Sequence, residues 1–208
     1  MSRSLDEELM RRAIAAARAM LGRTWPNPVV GCVVALGEEV LAVATTATGG
    51  RPHAEEQALD LAGERARGAS VYVSLEPCGE RRTGAASCSE RLVEAGVARV
   101  VIAADNPDPL SAGRGVERLR EAGIVVESGV LAGEAAPLYR GFRHKLATGL
   151  PLVEEATSGE GFDAAFAPLS GEGLEAALKR LGRAGYTRLW VPDRDDLALK
   201  LKSLGFLS

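Results

Sequence analysis

Apolar residues recur at helical spacing at the beginning of the chain: Leu5, Leu9, Ala13, Ala16 and Met20. Ser4 precedes Glu7 by three residues, as in a capping box, which is typical of a helix start. We therefore expect a helix from about Leu5 to Leu21. The segment "TWPNP" (24–28) ends it, because two prolines in three residues remove backbone donors and helical freedom.

Apolar runs and helical patterns alternate through the middle of the chain. The runs "VVGCVVAL" (29–36) and "EVLAVATT" (39–46) flank Gly37 and Glu38 and predict a β-hairpin. Further apolar runs at 70–75, 98–104 and 124–128 alternate with helical patterns at 53–65, 88–95, 113–122 and 132–147. Continuous apolar strands separated by helices are typical of a buried parallel sheet. The pattern predicts an α/β fold, a three-layer α/β/α sandwich with a mixed sheet of about five strands.

The composition changes after Lys145. Residues 147–173 are rich in Gly, Ala, Ser and Pro without sustained periodicity, which indicates a linker or irregular loop. A helical pattern at 173–185, a short strand at 187–192 and a final helical pattern at 195–205 follow. A tail of about 60 residues is marginal as an independent domain, so we expect it to pack against the main body or a second subunit. The predicted domains are 1–148 and 149–208.

The composition excludes several classes of protein. The 208 residues are 46% hydrophobic and 25% charged, as expected of a folded protein with one full domain and an appendage. Lys and Arg (25) nearly balance Asp and Glu (28) and form no basic block, which argues against nucleic acid as a partner. No run reaches the roughly 18 apolar residues of a membrane span, and the N-terminal segment lacks an apolar signal core. We therefore expect a cytoplasmic protein with reduced cysteines and no membrane partner.

Four residues form a pattern that fits a catalytic metal. His53 and Glu55 form an H-x-E motif at a predicted helix start. Cys78 follows a predicted strand, and Cys88 opens the next predicted helix. One imidazole and two thiolates are ligands that Zn²⁺ prefers, and three protein ligands leave a fourth position for water. Glu55 is not needed as a ligand and can move the proton of that water, so we interpret it as the catalytic acid and base.

Simpler explanations exist for the same residues. A lone histidine is most often a surface or packed residue, and Cys78 and Cys88 could form a disulfide. The disulfide leaves the H-x-E motif unexplained. Cys32 lies in the middle of a predicted strand and is expected to be a buried, inert thiol. His144 lies among basic residues on a predicted helix and is expected on a solvated face.

The H-x-E motif, the Pro-Cys pair and the later cysteine together match the signature of zinc deaminases. Further motifs extend the match: "PNPVVGCVV" (26–34), "PHAE" (52–55), "LEPC" (75–78), "RT" (82–83), "AGVARVV" (95–101) and "NPDPLSAGRG" (106–115). With these, the chain from about Leu5 to Thr148 resembles the deaminase domain of the bifunctional riboflavin-biosynthesis deaminase/reductase family, within the cytidine deaminase-like superfamily.

The resemblance implies a function and a set of substrate contacts. It implies a zinc-dependent hydrolytic deaminase with the cytidine deaminase-like fold, acting on a pyrimidine that carries a phosphoribosylamino group, on the path from GTP to flavin. By position, Asn27 is expected to contact the pyrimidine. Arg82 and Thr83 are expected to approach the phosphate or ribose, and Asn106 and Asp108 to line the same pocket. Related folds commonly form dimers or tetramers, so a homo-oligomer is expected.

Three features depart from the family pattern. The loop "CGERRTGAASC" places nine residues between Cys78 and Cys88, where the family usually has eight and ends with two prolines. Thr46 stands in the substrate site where the family tends to carry a histidine, and "NPDP" (106–109) exchanges the acid and amide of the usual "DPNP". These changes leave the exact substrate open, so a deaminase of another small base, nucleoside or nucleotide is the alternative. A non-catalytic partner subunit is a third hypothesis, which the complete set of zinc and proton-shuttle residues disfavours.

The reductase half of this family is expected to be largely missing. The segment "EGLEAALKRLGRAGYTRLWV" (172–191) resembles a helix and strand of that domain. "PDRDD" (192–196) then follows where the family has a glycine-rich stretch for the phosphates of NADPH. The resemblance therefore predicts no nicotinamide cofactor and no reductase activity, a tail that serves packing or dimerisation, and a separate reductase enzyme in the pathway.

Overall fold

The computed structural model describes residues 3–81, 84–193 and 195–207. Its α-helices are α1 (Arg3–Arg18), α2 (Ala54–Ala62), α3 (Cys88–Ala95), α4 (Arg114–Glu121), α5 (Ala132–Ala135), α6 (Arg140–Thr148), α7 (Leu174–Ala184) and α8 (Asp196–Ser203). Its strands are β1 (Gly31–Leu36), β2 (Glu39–Thr45), β3 (Ser70–Leu75), β4 (Arg99–Ala104), β5 (Val125–Ser128), β6 (Leu152–Ala156), β7 (Ala164–Ala165) and β8 (Arg188–Pro192). Most of these elements lie within a few residues of the bounds that the sequence pattern predicts.

The first five strands form one mixed sheet in the order β2-β1-β3-β4-β5. Strand β1 is antiparallel to both β2 and β3, whereas β3, β4 and β5 run parallel to one another. Helix α3 connects β3 to β4, and α4 connects β4 to β5, as parallel strands require. The predicted mixed five-stranded sheet is therefore confirmed.

Helices cover both faces of this sheet. A Cβ atom at Gly31 would lie 1.9 Å from the carbonyl oxygen of Ala13, so α1 can approach β1 this closely only at a glycine. Successive side chains of a strand point to opposite faces, so the next residue, Cys32, belongs to the other layer. There Cys32 is fully buried. Burial raises the pKa of its thiol, and the nearby carboxylate of Glu55 in α2 raises it further. The expected α/β/α arrangement and the buried position of Cys32 are both found.

A buried ionic network ties α1 to the sheet. The carboxylate of Asp6 accepts hydrogen bonds from the Tyr72 hydroxyl at 2.7 Å and from the Arg99 guanidinium at 2.6 and 2.9 Å. The Arg99 bonds lower the pKa of Asp6 below its ordinary value. Because Tyr72 lies in β3 and Arg99 in β4, one carboxylate joins three elements of the main body.

The C-terminal segment forms a second, smaller sheet in the order β6-β8-β7, with both strand pairs parallel. The prediction of an irregular segment over 147–173 is wrong for β6 and β7. Strand β6 has the sequence "LVEEA", and its Glu154 can be buried because it forms ion pairs with Arg140 and Arg188. That acidic pair interrupts the apolar run by which a strand is recognised in a sequence. The assignment of 149–208 as the remnant of a second domain stays a prediction.

The C-terminal segment packs against the main body, one of the two arrangements expected for it. The rings of Trp25 and Tyr186 stack with their centroids 4.2 Å apart. A Cβ atom at Gly22 would lie 2.2 Å from the carbonyl oxygen of Phe162, so the turn that follows α1 also meets the loop between β6 and β7.

The single helix predicted over 132–147 is divided in the structure. Helices α5 and α6 are separated by a tight 3₁₀ turn at Ala136–Tyr139, in which Pro137 lacks the N–H that a continuous helix needs. His144 of α6 is half-buried rather than fully solvated, and this burial lowers its pKa. Within the ranges described, none of the helices has both the length and the apolar character needed to cross a membrane.

Candidate active site

The structure brings the three predicted metal ligands together at one end of the main sheet. His53 immediately precedes α2, Cys78 follows the end of β3, and Cys88 is the first residue of α3. Their ligand atoms all lie within 4.8 Å of one another. The Nδ1 atom of His53 is 3.3 Å from Sγ of Cys88 and 3.9 Å from Sγ of Cys78.

These separations fit a tetrahedral metal ion of the size of zinc. Bonds of about 2.3 Å to sulfur and about 2.0 Å to nitrogen, at tetrahedral angles, place the two ligand atoms about 3.5 Å apart. The two measured nitrogen–sulfur distances, 3.3 and 3.9 Å, lie on either side of this value. Cys78 and Cys88 are free thiols, so the disulfide alternative does not describe this structure. One imidazole and two thiolates leave a fourth coordination position for a small ligand.

Helix starts fix the backbone at two of these residues. The backbone N–H of Ser87 donates to the Glu90 carboxylate at 2.7 Å, and the Ser87 hydroxyl accepts from the Glu90 N–H at 3.3 Å, which forms a capping box at α3. The backbone N–H of Cys88 donates to Sγ of Cys78 at 3.2 Å. At α2, the N–H of His53 donates to the Glu56 carboxylate at 2.8 Å. The Cys88 N–H and the N-terminal end of α3 therefore favour negative charge on the sulfur atoms, and Glu56 fixes the backbone at His53.

A hydrogen bond couples the thiols of Cys78 and Cys88. A hydrogen bond from Cys88 lowers the pKa of Cys78 to about 3. The same bond, together with burial, raises the pKa of Cys88 well above its ordinary value. A metal ion that takes both sulfur atoms as thiolates displaces the proton of this hydrogen bond.

Glu55 lies in the first turn of α2 and is only 3% exposed. Burial raises its pKa, although the nearby imidazole of His53 opposes this effect. Glu55, His53 and Cys78 line a cavity of about 30 Å³, which has room for one water molecule. A buried carboxyl group beside a water-sized space at the metal ligands is well placed for proton transfer.

Thr46 lines the same small cavity and is 1% exposed. Its hydroxyl accepts a hydrogen bond from the Val30 N–H at 3.0 Å and donates to the Pro28 carbonyl at 3.3 Å. The hydroxyl thus ties the end of β2 to the segment before β1. A contact between Thr46 and a substrate stays a prediction.

Asn106 and Glu76 form a polar wall of this cavity. The Asn106 amide donates to the Glu76 carbonyl at 3.3 Å and accepts from the N–H of Asp108 at 3.0 Å. The Glu76 carboxylate accepts the N–H groups of Asn106 at 3.2 Å and Gly113 at 2.8 Å, and burial raises its pKa. Sequence reasoning did not single out Glu76, although its place between β3 and Cys78 in "LEPC" is the signal that could have found it.

A larger cleft of about 470 Å³ opens outward from His53 and Cys78. Its walls include three of the predicted substrate contacts, Asn27, Asn106 and Asp108. Arg51, Arg81 and Lys145, which the sequence did not mark as site residues, also line it. Asn27 is anchored by a hydrogen bond from its amide to the Gly50 carbonyl at 2.7 Å. The other two predicted contacts, Arg82 and Thr83, lie outside the residues that the structure describes.

Comparison with known sequences identifies the kind of domain. The family model described as "Cytidine and deoxycytidylate deaminase zinc-binding region" matches residues 3–104. The riboflavin biosynthesis protein RibD of Escherichia coli is 43% identical over 168 residues, which are 80% of this chain and 45% of the relative. RibD of a Synechocystis strain is 45% identical over 126 residues, which are 60% of this chain and 34% of the relative. The chain therefore spans less than half of the length of these curated relatives.

Solved structures agree with the sequence comparison. Acinetobacter baumannii RibD, form 2, has a TM-score of 0.70 at 30% identity, and the match covers 99% of this chain and 69% of that one. A Thermotoga maritima protein described as a diaminohydroxyphosphoribosylaminopyrimidine deaminase/5-amino-6-(5-phosphoribosylamino)uracil reductase has a TM-score of 0.69 at 35% identity, covering 78% of this chain and 45% of that one. The resemblance inferred from the motifs is confirmed, and the chain belongs to the RibD family of riboflavin biosynthesis proteins.

Proposed function

We propose that this chain is a zinc-dependent hydrolytic deaminase of a pyrimidine that carries a phosphoribosylamino group, and that it acts in riboflavin biosynthesis. The observation that carries the proposal is the convergence of His53, Cys78 and Cys88 beside the buried carboxyl group of Glu55. The deaminase activity in the description of the Thermotoga maritima relative supports this substrate class.

The chemistry begins with the metal ligands. Nδ1 of His53 and the sulfur atoms of Cys78 and Cys88 would hold the zinc ion. The chemistry that zinc would supply when bound is the activation of a water molecule for attack on an amidine-like ring carbon.

Glu55 performs the proton transfers. Because burial raises its pKa, the carboxyl group can take a proton from the attacking water and hold it beside the metal ligands. It then delivers the proton to the departing amino group, which leaves as ammonia. Glu55 is therefore the residue whose loss should stop chemistry without removing the metal ligands.

The outer cleft supplies the substrate contacts. We place the pyrimidine near Asn27, Thr46 and Asn106, since these residues surround the metal ligands. The ribose phosphate then extends toward Arg51 and Lys145, whose side chains put positive charge in the outer cleft. Arg82 and Thr83 remain predicted contacts of the same phosphoribosyl group.

Ammonia release from a defined panel tests this proposal. Zinc-loaded protein is offered the phosphoribosylamino-pyrimidine of the riboflavin pathway beside free bases, nucleosides and other nucleotides. We expect ammonia from the phosphoribosylamino-pyrimidine in clear preference to the others. Equal turnover of free bases or nucleosides would support the alternative deaminase, and a protein that holds no zinc and releases no ammonia from any of them would support the non-catalytic partner.

We also propose that residues 149–207 do not bind NADPH. Strand β8 ends at Pro192, which begins "PDRDD" (192–196), and the aspartates of this segment place negative charge where a nucleotide phosphate would need backbone N–H groups and positive charge. Titration of the purified protein with NADPH tests this point. Saturable binding at micromolar concentration would contradict it.

A further inference from the structure

We propose that Arg81 is a positioning residue for the metal ligands. Its guanidinium group orients the sulfur of Cys88 directly and orients the backbone of His53 through Glu56. The Arg81 side chain is 5% exposed. Its Nη2 atom lies 3.5 Å from Sγ of Cys88 and 2.8 Å from the Glu56 carboxylate. The inference rests on one part of the proposed function, namely that this site holds zinc.

Glu56 carries the connection from Arg81 to the second ligand. Its carboxylate accepts from Nη1 of Arg81 at 3.0 Å and from the backbone N–H of His53 at 2.8 Å. The side chain of Glu56 is 13% exposed, so this ion pair is shielded from solvent. A continuous set of hydrogen bonds therefore runs from Cys88 through Arg81 and Glu56 to His53.

The position of Arg81 in the chain explains why such an anchor is needed. Nine residues separate Cys78 from Cys88, and they include two glycines and no proline. A loop of this composition has much conformational freedom to lose when the ligands assemble. Arg81 lies within this loop and attaches it to α2 and α3, which replaces backbone stiffness with side-chain contacts.

The packing of the guanidinium supports a fixed position rather than a solvated one. The Nε atom of Arg81 is buried without a hydrogen-bond partner among the described residues. A buried polar group without a partner is rare in proteins, and the contacts at the other end of the group must offset its cost. Those contacts are the Glu56 carboxylate and a metal-ligand sulfur, and outer contacts of this kind typically orient metal ligands.

Zinc affinity and a cobalt spectrum test the assignment. In Arg81→Met, the dissociation constant of zinc, measured by competition with a chelator, is expected to rise about 10- to 100-fold. In the cobalt-substituted variant, the sulfur-to-cobalt charge-transfer band should move to lower energy, because the Cys88 sulfur no longer accepts a hydrogen bond from Arg81. Arg81→Lys keeps a cation but cannot bridge sulfur and carboxylate with one planar group, so it should restore part of the affinity.

Arg91 provides the matched control. It also pairs with Glu56, at 3.4 Å, and with Asp60, at 2.5 Å, and these partners among the described residues are carboxylates rather than sulfur atoms. Arg91→Met should therefore leave the cobalt band in place and change zinc affinity much less than Arg81→Met. Equal losses in the two variants would show that only the Glu56 ion pair matters and would overturn the inference.

Two further outcomes keep the inference separate from the proposed function. If wild-type protein binds no zinc, the proposed function fails. If wild-type protein binds zinc, and Arg81→Met binds it equally well with an unchanged cobalt band, only the role of Arg81 fails. Should Arg81→Met not fold, Arg81→Lys decides the question, and wild-type zinc affinity in that variant counts against the inference.

Discussion

Replacing Asp6 by alanine tests how the first helix is held on the sheet. The substitution removes the carboxylate that accepts from Tyr72 at 2.7 Å and from Arg99 at 2.6 and 2.9 Å. Loss of one partner of a buried ion pair costs about 3–5 kcal/mol. Arg99 keeps its second ion pair, with the half-exposed Glu127, which offsets part of the loss. We therefore expect the free energy of unfolding to fall by about 3 kcal/mol.

Urea unfolding of the purified variant at neutral pH measures this change. Glu8→Ala is the matched control, since Glu8 pairs with Arg12 at 2.6 Å on the same helix but both side chains are more than half exposed. Solvent screens that pair, and the control should lose no more than about 0.5 kcal/mol. A loss below about 1 kcal/mol in Asp6→Ala would refute the reasoning, because the network would then contribute no more than a surface ion pair.

The pH dependence of the same network has a definite sign. Hydrogen bonds from Arg99 lower the pKa of Asp6 from its ordinary value of 3.8. The resulting stabilisation is fully present above the ordinary value and is lost as the pH falls through the lowered value of the folded protein. The difference in unfolding free energy between wild type and Asp6→Ala should therefore shrink on acidification below pH 3.8. A difference that stays constant down to acid unfolding would contradict this origin.

Three further predictions concern the site. Glu55→Gln should lower kcat about 10²- to 10⁴-fold with an unchanged zinc content, since the metal ligands stay in place, and normal turnover would count against the proton shuttle. Lys145→Met should raise KM for the phosphoribosylated substrate about tenfold or more at little cost in kcat, and an unchanged KM would remove Lys145 from the phosphate contacts. A Cβ atom at Gly115 would lie 2.1 Å from the carbonyl oxygen of Pro77, so Gly115→Ala should lower the free energy of unfolding by about 1–3 kcal/mol and weaken zinc binding at the adjacent Cys78. Unchanged urea unfolding and zinc affinity in that variant would show that the contact is not tight.

The sequence predicts the metal group well because its members occupy points that the fold must bring together. Cys78 follows a buried strand, and His53 and Cys88 start helices that pack beside it. The end of a parallel strand and the N-termini of neighbouring helices meet at one edge of such a sheet. Residue type and position along the chain therefore suffice for these three residues.

The outer part of the site could not be predicted in the same way. The role of Arg81 depends on its contacts with Glu56 in α2 and Cys88 in α3, and the hydrophobic periodicity of the sequence does not predict those contacts. Lys145 reaches the cleft because α6 ends beside it, after the break that Pro137 introduces. Strand β6 was missed because the buried Glu154 depends on arginines at 140 and 188 for its charge pairing. Contacts between distant segments decide each of these cases.

The most direct test of the central claim is ammonia release by the zinc-loaded protein from the phosphoribosylamino-pyrimidine of the riboflavin pathway, with Glu55→Gln measured beside it. The proposed function predicts equimolar ammonia and deaminated pyrimidine with wild type, and a loss of at least about 10²-fold in rate with the variant at equal zinc content. No ammonia from the wild-type protein, or the same rate from the variant, would contradict it.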